Sequence, residues 1–141
     1  MPRLISTVLM FTVLTFGSSV SANHHYSCDD MISVSRLVAG GQNWNSAQKA
    51  YVKGVMDQTK EQLSDYLGYL QSQAGKGDTD AQMYLSGLYK LGFGQSLSLS
   101  DLALKVIQRI HLADQRVQSL DLNFSQCIGY GVGALVGTTF N

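Results

Sequence analysis

The sequence predicts an all-α fold, a compact bundle of four to five helices closed by one disulfide, and three observations carry that class. Apolar residues recur at helical spacing through most of the chain, with charged residues on the intervening positions. The only proline is Pro2, so helices further along run without that interruption. The two cysteines, Cys28 and Cys127, make an even pair set far apart in the chain.

The opening stretch has a character of its own. Arg3 supplies a short basic start, residues 4 to 16 are almost wholly apolar, and Val20-Ser21-Ala22 offers a small-residue cleavage site. Together these read as a secretory signal peptide over residues 1 to 22, with an apolar core too short to span a membrane. The expected mature chain therefore begins near Asn23, works in the periplasm or outside the cell, and forms one helical domain over residues 23 to 141. An oxidising compartment gives Cys28 and Cys127 their expected role as a disulfide. In the chain-entropy model, a bridge closing a loop of about 100 residues contributes roughly 4 to 5 kcal/mol.

Each element follows from local signals. Ser27, with Asp30 three residues on, reads as a capping box opening a helix over residues 28 to 39, which Gly40-Gly41 stops. After the linker Gln42-Asn43-Trp44-Asn45, either Asn45 or Ser46 caps a second helix from Ala47 to about Leu70. Its apolar positions are Val52, Val55, Met56, Thr59, Leu63, Tyr66, Leu67 and Leu70, with Lys49, Lys53, Asp57, Lys60, Glu61 and Asp65 opposite. Gly75-Lys76-Gly77 ends that pattern. Asp78 caps a third helix that Gly92-Phe93-Gly94 stops near Leu91. A fourth is expected from about Asp101 to Ser119, its stripe formed by Leu102, Val106, Ile110, Ala113, Val117 and Leu120. Asn123 or Ser125 opens a last apolar segment in which Gly129, Gly133 and Gly137 recur every four residues. That spacing suits a close-packed helix, and a glycine-loosened strand or coil stays open.

Charge narrows the partners. Without Arg3 the chain carries nine Lys and Arg against ten acidic residues, well scattered, which argues against nucleic acid or an anionic membrane as partner. No nucleophile elbow, zinc-binding helix motif or phosphate loop occurs, and no cofactor is implied. The run Gly129-Tyr-Gly-Val-Gly follows no strand and opens no βαβ unit, so it is not a dinucleotide loop. The carboxylate groupings are Asp29-Asp30 and the ladder Asp57, Glu61, Asp65, which reads first as a solvated helix face. His111, beside the fourth stripe, reads as a half-buried core residue rather than a catalytic one.

A free amino terminus at Asn23-His24-His25 would supply the square-planar nitrogen set favoured by copper(II) or nickel(II); a plain polar tail is the alternative. Trp44 in its polar linker and Phe93 between glycines are candidate anchors for a protein partner, or plugs for the ends of the core.

Two segments resemble small periplasmic helical disulfide proteins. Ser27-Cys28-Asp29-Asp30-Met31 is similar to the start of HdeA-type acid-stress chaperones. Tyr51-Val-Lys-Gly54-Val-Met-Asp57 is similar to the Tyr-x-x-Gly-Val-x-Asp segment of the Rap/Tai immunity proteins, which guard bacteria against peptidoglycan amidases delivered by type VI secretion. The long helix from Ser100 and Cys127 after it fit the back half of that pattern. Ala50 stands where that family places a cysteine, and the glycine-rich tail beyond Cys127 is extra. A further stretch, from Gly77 through Ala81, Leu85, Leu88 and Tyr89 to Gly94, resembles the first half of a Sel-type repeat, a protein-contact module.

The function expected from all this is binding of another protein, without catalysis. The resemblance implies an immunity-type inhibitor of an envelope peptidoglycan hydrolase. The alternative is an acid-activated holdase: at low pH the carboxylates protonate while nine Lys and Arg and three His stay positive, and self-repulsion exposes apolar surface. Homodimerisation stays open.

Overall fold

The helices of this chain, all but one, begin where a side chain can close the first turn. In the computed structural model, which describes residues 25–41 and 43–140, these are α1 (Cys28–Gly40), α2 (Ser46–Gly75), α3 (Thr79–Lys90), α4 (Leu99–Leu112), α5 (Asp114–Leu120) and α6 (Phe124–Phe140). The predicted leader, Asn23 and His24 lie outside the described residues.

Ser27 and Asp30 form the expected capping box on α1. Asn45 with Gln48 and Ser98 with Asp101 do the same for α2 and α4. Asn123 and Gln126 exchange equivalent bonds of 2.9 and 2.8 Å at the start of α6. Where the sequence left two caps open, asparagine wins over serine because the glutamine three residues on returns its bond. Asp78 caps α3 alone, accepting from the backbone of Asp80 and Ala81.

Six helices among the described residues exceed the four to five expected, because the fourth stretch breaks. Ala113 leaves helical geometry at φ −120°, and its N–H reaches back only three residues, to Ile110, at 3.1 Å. The bend keeps Val117 in the core and brings Asp114 within 3.3 Å of Arg36 on α1. It leaves Leu112 72% and Leu120 42% exposed, so Leu120 does not join the stripe that a straight helix would have given it. At the other ambiguous point, the glycine-rich end is a helix rather than a strand or coil.

No strand forms among the described residues; Phe93 and Leu97 make one isolated bridge in the turn before α4. That turn uses Leu97 as a buried plug.

The core sits around α4, which packs on α1, α2 and α6 through Leu102, Ala103, Val106, Ile107 and Ile110. From α2, Val52, Val55, Thr59, Leu63, Leu67 and Leu70 are buried as the spacing predicts. Thr59 remains satisfied there by donating to the Val55 carbonyl at 2.7 Å. The Cys28–Cys127 disulfide joins the first turn of α1 to α6 across 99 residues of sequence, with both cysteines buried. Among the described residues, no helix is long and apolar enough to cross a membrane.

Close packing in α6 falls on a different glycine from the expected ones. A methyl group on Gly131 would lie 2.7 Å from Val106 Cγ1 and 3.4 Å from the Val106 carbonyl oxygen. Gly129 and Gly133 instead face the hydroxyls of Tyr66 and Tyr84, and Gly137 faces open space. The four-residue recurrence thus marks a tyrosine-facing side, and the tight contact with α4 lies at Gly131.

Candidate functional site

A groove of about 630 Å³ lies on the polar side of α2. Its floor is α2 itself, from Gly54 to Tyr66. One lip is the extended stretch His25-Tyr26, and Ser125 at the start of α6 lies on the other side.

The lip is fixed by the backbone of Tyr26. Its N–H donates to Gln58 Oε1 at 3.0 Å, and Gln58 Nε2 donates back to its carbonyl at 3.1 Å. The Tyr26 ring then lies against α2 at Gly54, where a methyl group would collide with the ring and its hydroxyl. Glycine inside a helix is unfavourable by about 0.5 to 1 kcal/mol relative to alanine, and here close approach of an aromatic ring explains it. Tyr26 also meets Tyr51 edge to face, with centroids 5.9 Å apart.

Tyr51 carries the anchoring inward. Its hydroxyl donates to Asp30 Oδ1 at 2.6 Å, while Asp30 Oδ2 accepts from the Ser27 backbone at 2.8 Å. Burial pushes the Asp30 carboxyl up, but the bonds from Tyr51 and Ser27 outweigh it and hold the group below its usual range. Burial, then the bond to Asp30 and its charge, push Tyr51 up to about 12. The two segments that carry the resemblances, Ser27–Met31 and Tyr51–Asp57, are thus one connected network beside the disulfide.

Along the floor, Asp57, Glu61 and Asp65 follow one another a helical turn apart. Asp57 is compensated twice, by Lys53 at 2.7 Å and Lys60 at 3.8 Å. Glu61 and Asp65 have no ion pair or hydrogen bond among the described residues. Gln62 accepts from the Ser125 hydroxyl at 2.8 Å, tying α6 to the far end of the floor. Tyr66 closes that end, half-buried and stacked on Tyr69 at 6.4 Å between centroids. Burial, then the nearby Tyr84 and Tyr69, raise its hydroxyl above the ordinary tyrosine range, so it is a neutral donor.

The aromatic residues singled out in the sequence lie elsewhere. Trp44 packs against the core and donates its indole N–H to the Leu37 carbonyl at 3.1 Å. Phe93 also packs against the core, between Gly92 and Gly94 in left-handed conformations. Neither lines the groove. Among the described residues, the exposed tyrosines are Tyr69 and Tyr89, at 57% and 53%. Of the copper set, only His25 is among the described residues, where it forms part of the lip. No cluster of three or more metal-ligating side chains occurs among the described residues. His111 is half-buried on α4, its Nδ1 without a hydrogen-bond partner.

Sequence reasoning saw the carboxylate ladder but not the groove. Gly54, a lone glycine within a strong helical pattern, was the available signal for something packed closely against it. Compared with family models, with curated proteins and with solved structures, the chain matches none.

Proposed function

We propose that this chain is an exported protein-binding module that works in the periplasm or outside the cell, as an immunity-type inhibitor that occludes an envelope peptidoglycan hydrolase. The observation that carries the reading is the groove on α2, preformed on a frame tied by a disulfide. A fixed concave surface on such a frame loses little conformational freedom on binding. Gly54 and Asp57, from the segment similar to Rap/Tai proteins, line this groove, and Tyr51 of the same segment holds its lip.

The test is inhibition by the purified mature chain of the hydrolase it captures from its own envelope extract. The expected result is loss of peptidoglycan hydrolysis at one-to-one stoichiometry, relieved by Gly54→Leu, which displaces Tyr26 and fills the groove. A captured hydrolase that keeps full activity overturns the inhibitor reading.

A second reading, the acid-activated holdase, is favoured by one observation: a single carboxylate, Asp30, accepts both the Tyr51 hydroxyl and the Ser27 backbone N–H beside the groove lip. Protonation of Asp30 weakens the Tyr51 anchor and the return bond of the α1 capping box together. The holdase predicts dye-detected apolar exposure and suppression of client aggregation at about pH 2, where native carboxylates are protonated. Unchanged dye binding at that pH excludes it.

A further inference from the structure

Resting on the reading of the α2 groove as the binding face, we propose that its occupant is an extended segment of the partner polypeptide with lysine or arginine at alternate positions. The cationic side chains pair with Glu61 and Asp65 beside the ring of Tyr66.

Size, charge and repeat distance support this independently. A groove of about 630 Å³ has the capacity for a few side chains of a peptide. No lysine or arginine lines it, and the two nearby lysines are both spent on Asp57. Glu61 and Asp65 therefore present negative charge that nothing among the described residues compensates. Neutral or anionic occupants leave that charge unmet; a cation meets it and gains the adjoining tyrosine faces, on which ammonium and guanidinium groups are favourably seated.

The repeat distance selects the form of the chain. Residues four apart on a helix advance about 6 Å. Residues two apart on an extended strand advance about 6.6 Å and point the same way. Alternate side chains of an extended segment laid along α2 thus keep step with Glu61 and Asp65. Consecutive basic residues point to opposite sides and fall out of step. Gln62 Nε2 remains for the backbone of such a segment, while Gln62 Oε1 holds Ser125 and both ends of the Gln58 amide are held by Tyr26.

The probe is a fluorescein-labelled, acetylated and amidated peptide Lys-Ser-Lys-Ser-Lys, titrated with the disulfide-bonded mature chain at low ionic strength and followed by anisotropy. The expected result is saturable one-to-one binding, weakened at least tenfold by Glu61→Gln with Asp65→Asn and less than twofold by the remote Asp80→Asn. The same composition as Lys-Lys-Lys-Ser-Ser is expected to bind several-fold more weakly. Absence of saturable binding, or equal affinity in the double variant, overturns the proposal. Circular dichroism of the double variant, whose substituted side chains are exposed, confirms that it is folded. Hydrolase inhibition by the same variants separates the two levels. Failure of the peptide with inhibition still lost in Gly54→Leu removes only the cationic occupant, whereas inhibition intact in Gly54→Leu removes the groove itself as the binding face.

Discussion

Two glycines in helices, Gly54 and Gly131, face neighbours at distances no side chain tolerates, yet the neighbours differ in what they can do. Beside Gly54 lies the tip of the Tyr26 ring on an extended stretch, which can swing away. Gly54→Ala gains about 0.5 to 1 kcal/mol of helix preference and loses a comparable amount of aromatic contact. Its expected stability in urea is within about 1 kcal/mol of the parent, while the Tyr26 and Tyr51 ring resonances shift. Beside Gly131 lie Val106 Cγ1 and the backbone of α4, both buried and without room to move. Gly131→Ala is expected to cost about 1 to 3 kcal/mol in the same experiment; a neutral result would mean that α6 is free to slide on α4. The Tyr51 hydroxyl gives a pH-dependent counterpart. Asp30 has its folded pKa depressed, so its contribution is present above the unfolded value near 3.9 and is lost as pH falls through the folded one. Tyr51→Phe should therefore cost about 1 to 2 kcal/mol at neutral pH. The two proteins should converge in stability below the folded pKa of Asp30. A constant gap through acid titration would detach Tyr51 from that carboxylate.

At the level of elements, α5 is the weakest unit. It has seven residues, no side-chain N-cap bond and one buried residue, Val117. Its exposed ion pair between Asp114 and Arg36 contributes between 0 and about 1 kcal/mol. Amide exchange should open α5 well before α4, whose inner face is fully buried; equal protection across Ala113 would contradict the break. This short helix also shows where the sequence ceased to be legible. The stripe from Leu102 to Val117 fits one straight helix, and only the docking of Asp114 toward α1 reveals the bend. Caps and glycine stops were readable because they act within four residues, and they gave α1 and α3 nearly to the residue; α2 began as expected but runs on from Leu70 to Gly75, past the end of its apolar stripe. The groove was not readable, because it arises where residues 25 and 26 cross α2 at Gln58, more than thirty positions away. The carboxylate ladder was visible as a helix face, but the lip beside it was not. Trp44 and Phe93 stood out as aromatic residues in polar loops, and both turn inward onto neighbouring helix ends.

For the whole molecule, the disulfide is the long-range tie. In the chain-entropy model its closure of 99 residues is worth roughly 4 to 5 kcal/mol. Reduction, or Cys28→Ser with Cys127→Ser, should lower the urea midpoint by about 2 M for a domain with an ordinary dependence on denaturant. Coincident midpoints for the oxidised and reduced forms would assign the frame's stability to its core alone. The covalent tie and the binding surface also share one region: Cys28 follows the Tyr26 lip by two residues, and Cys127 follows Ser125 by two. Loss of the bond should therefore loosen both sides of the groove before it unfolds α4.

The position of Cys127 in α6 also orders events during biosynthesis. A ribosome delivers α1 through α5 before the partner of Cys28 exists as part of a chain free to fold. Until then Cys28 is an unpaired thiol beside an incompletely covered α4, free to attack any other disulfide it meets and form a mixed disulfide as the other sulfur leaves as thiolate. Truncation before residue 127 would leave that thiol permanently single, converting an internally closed protein into one prone to cross-linking with its neighbours.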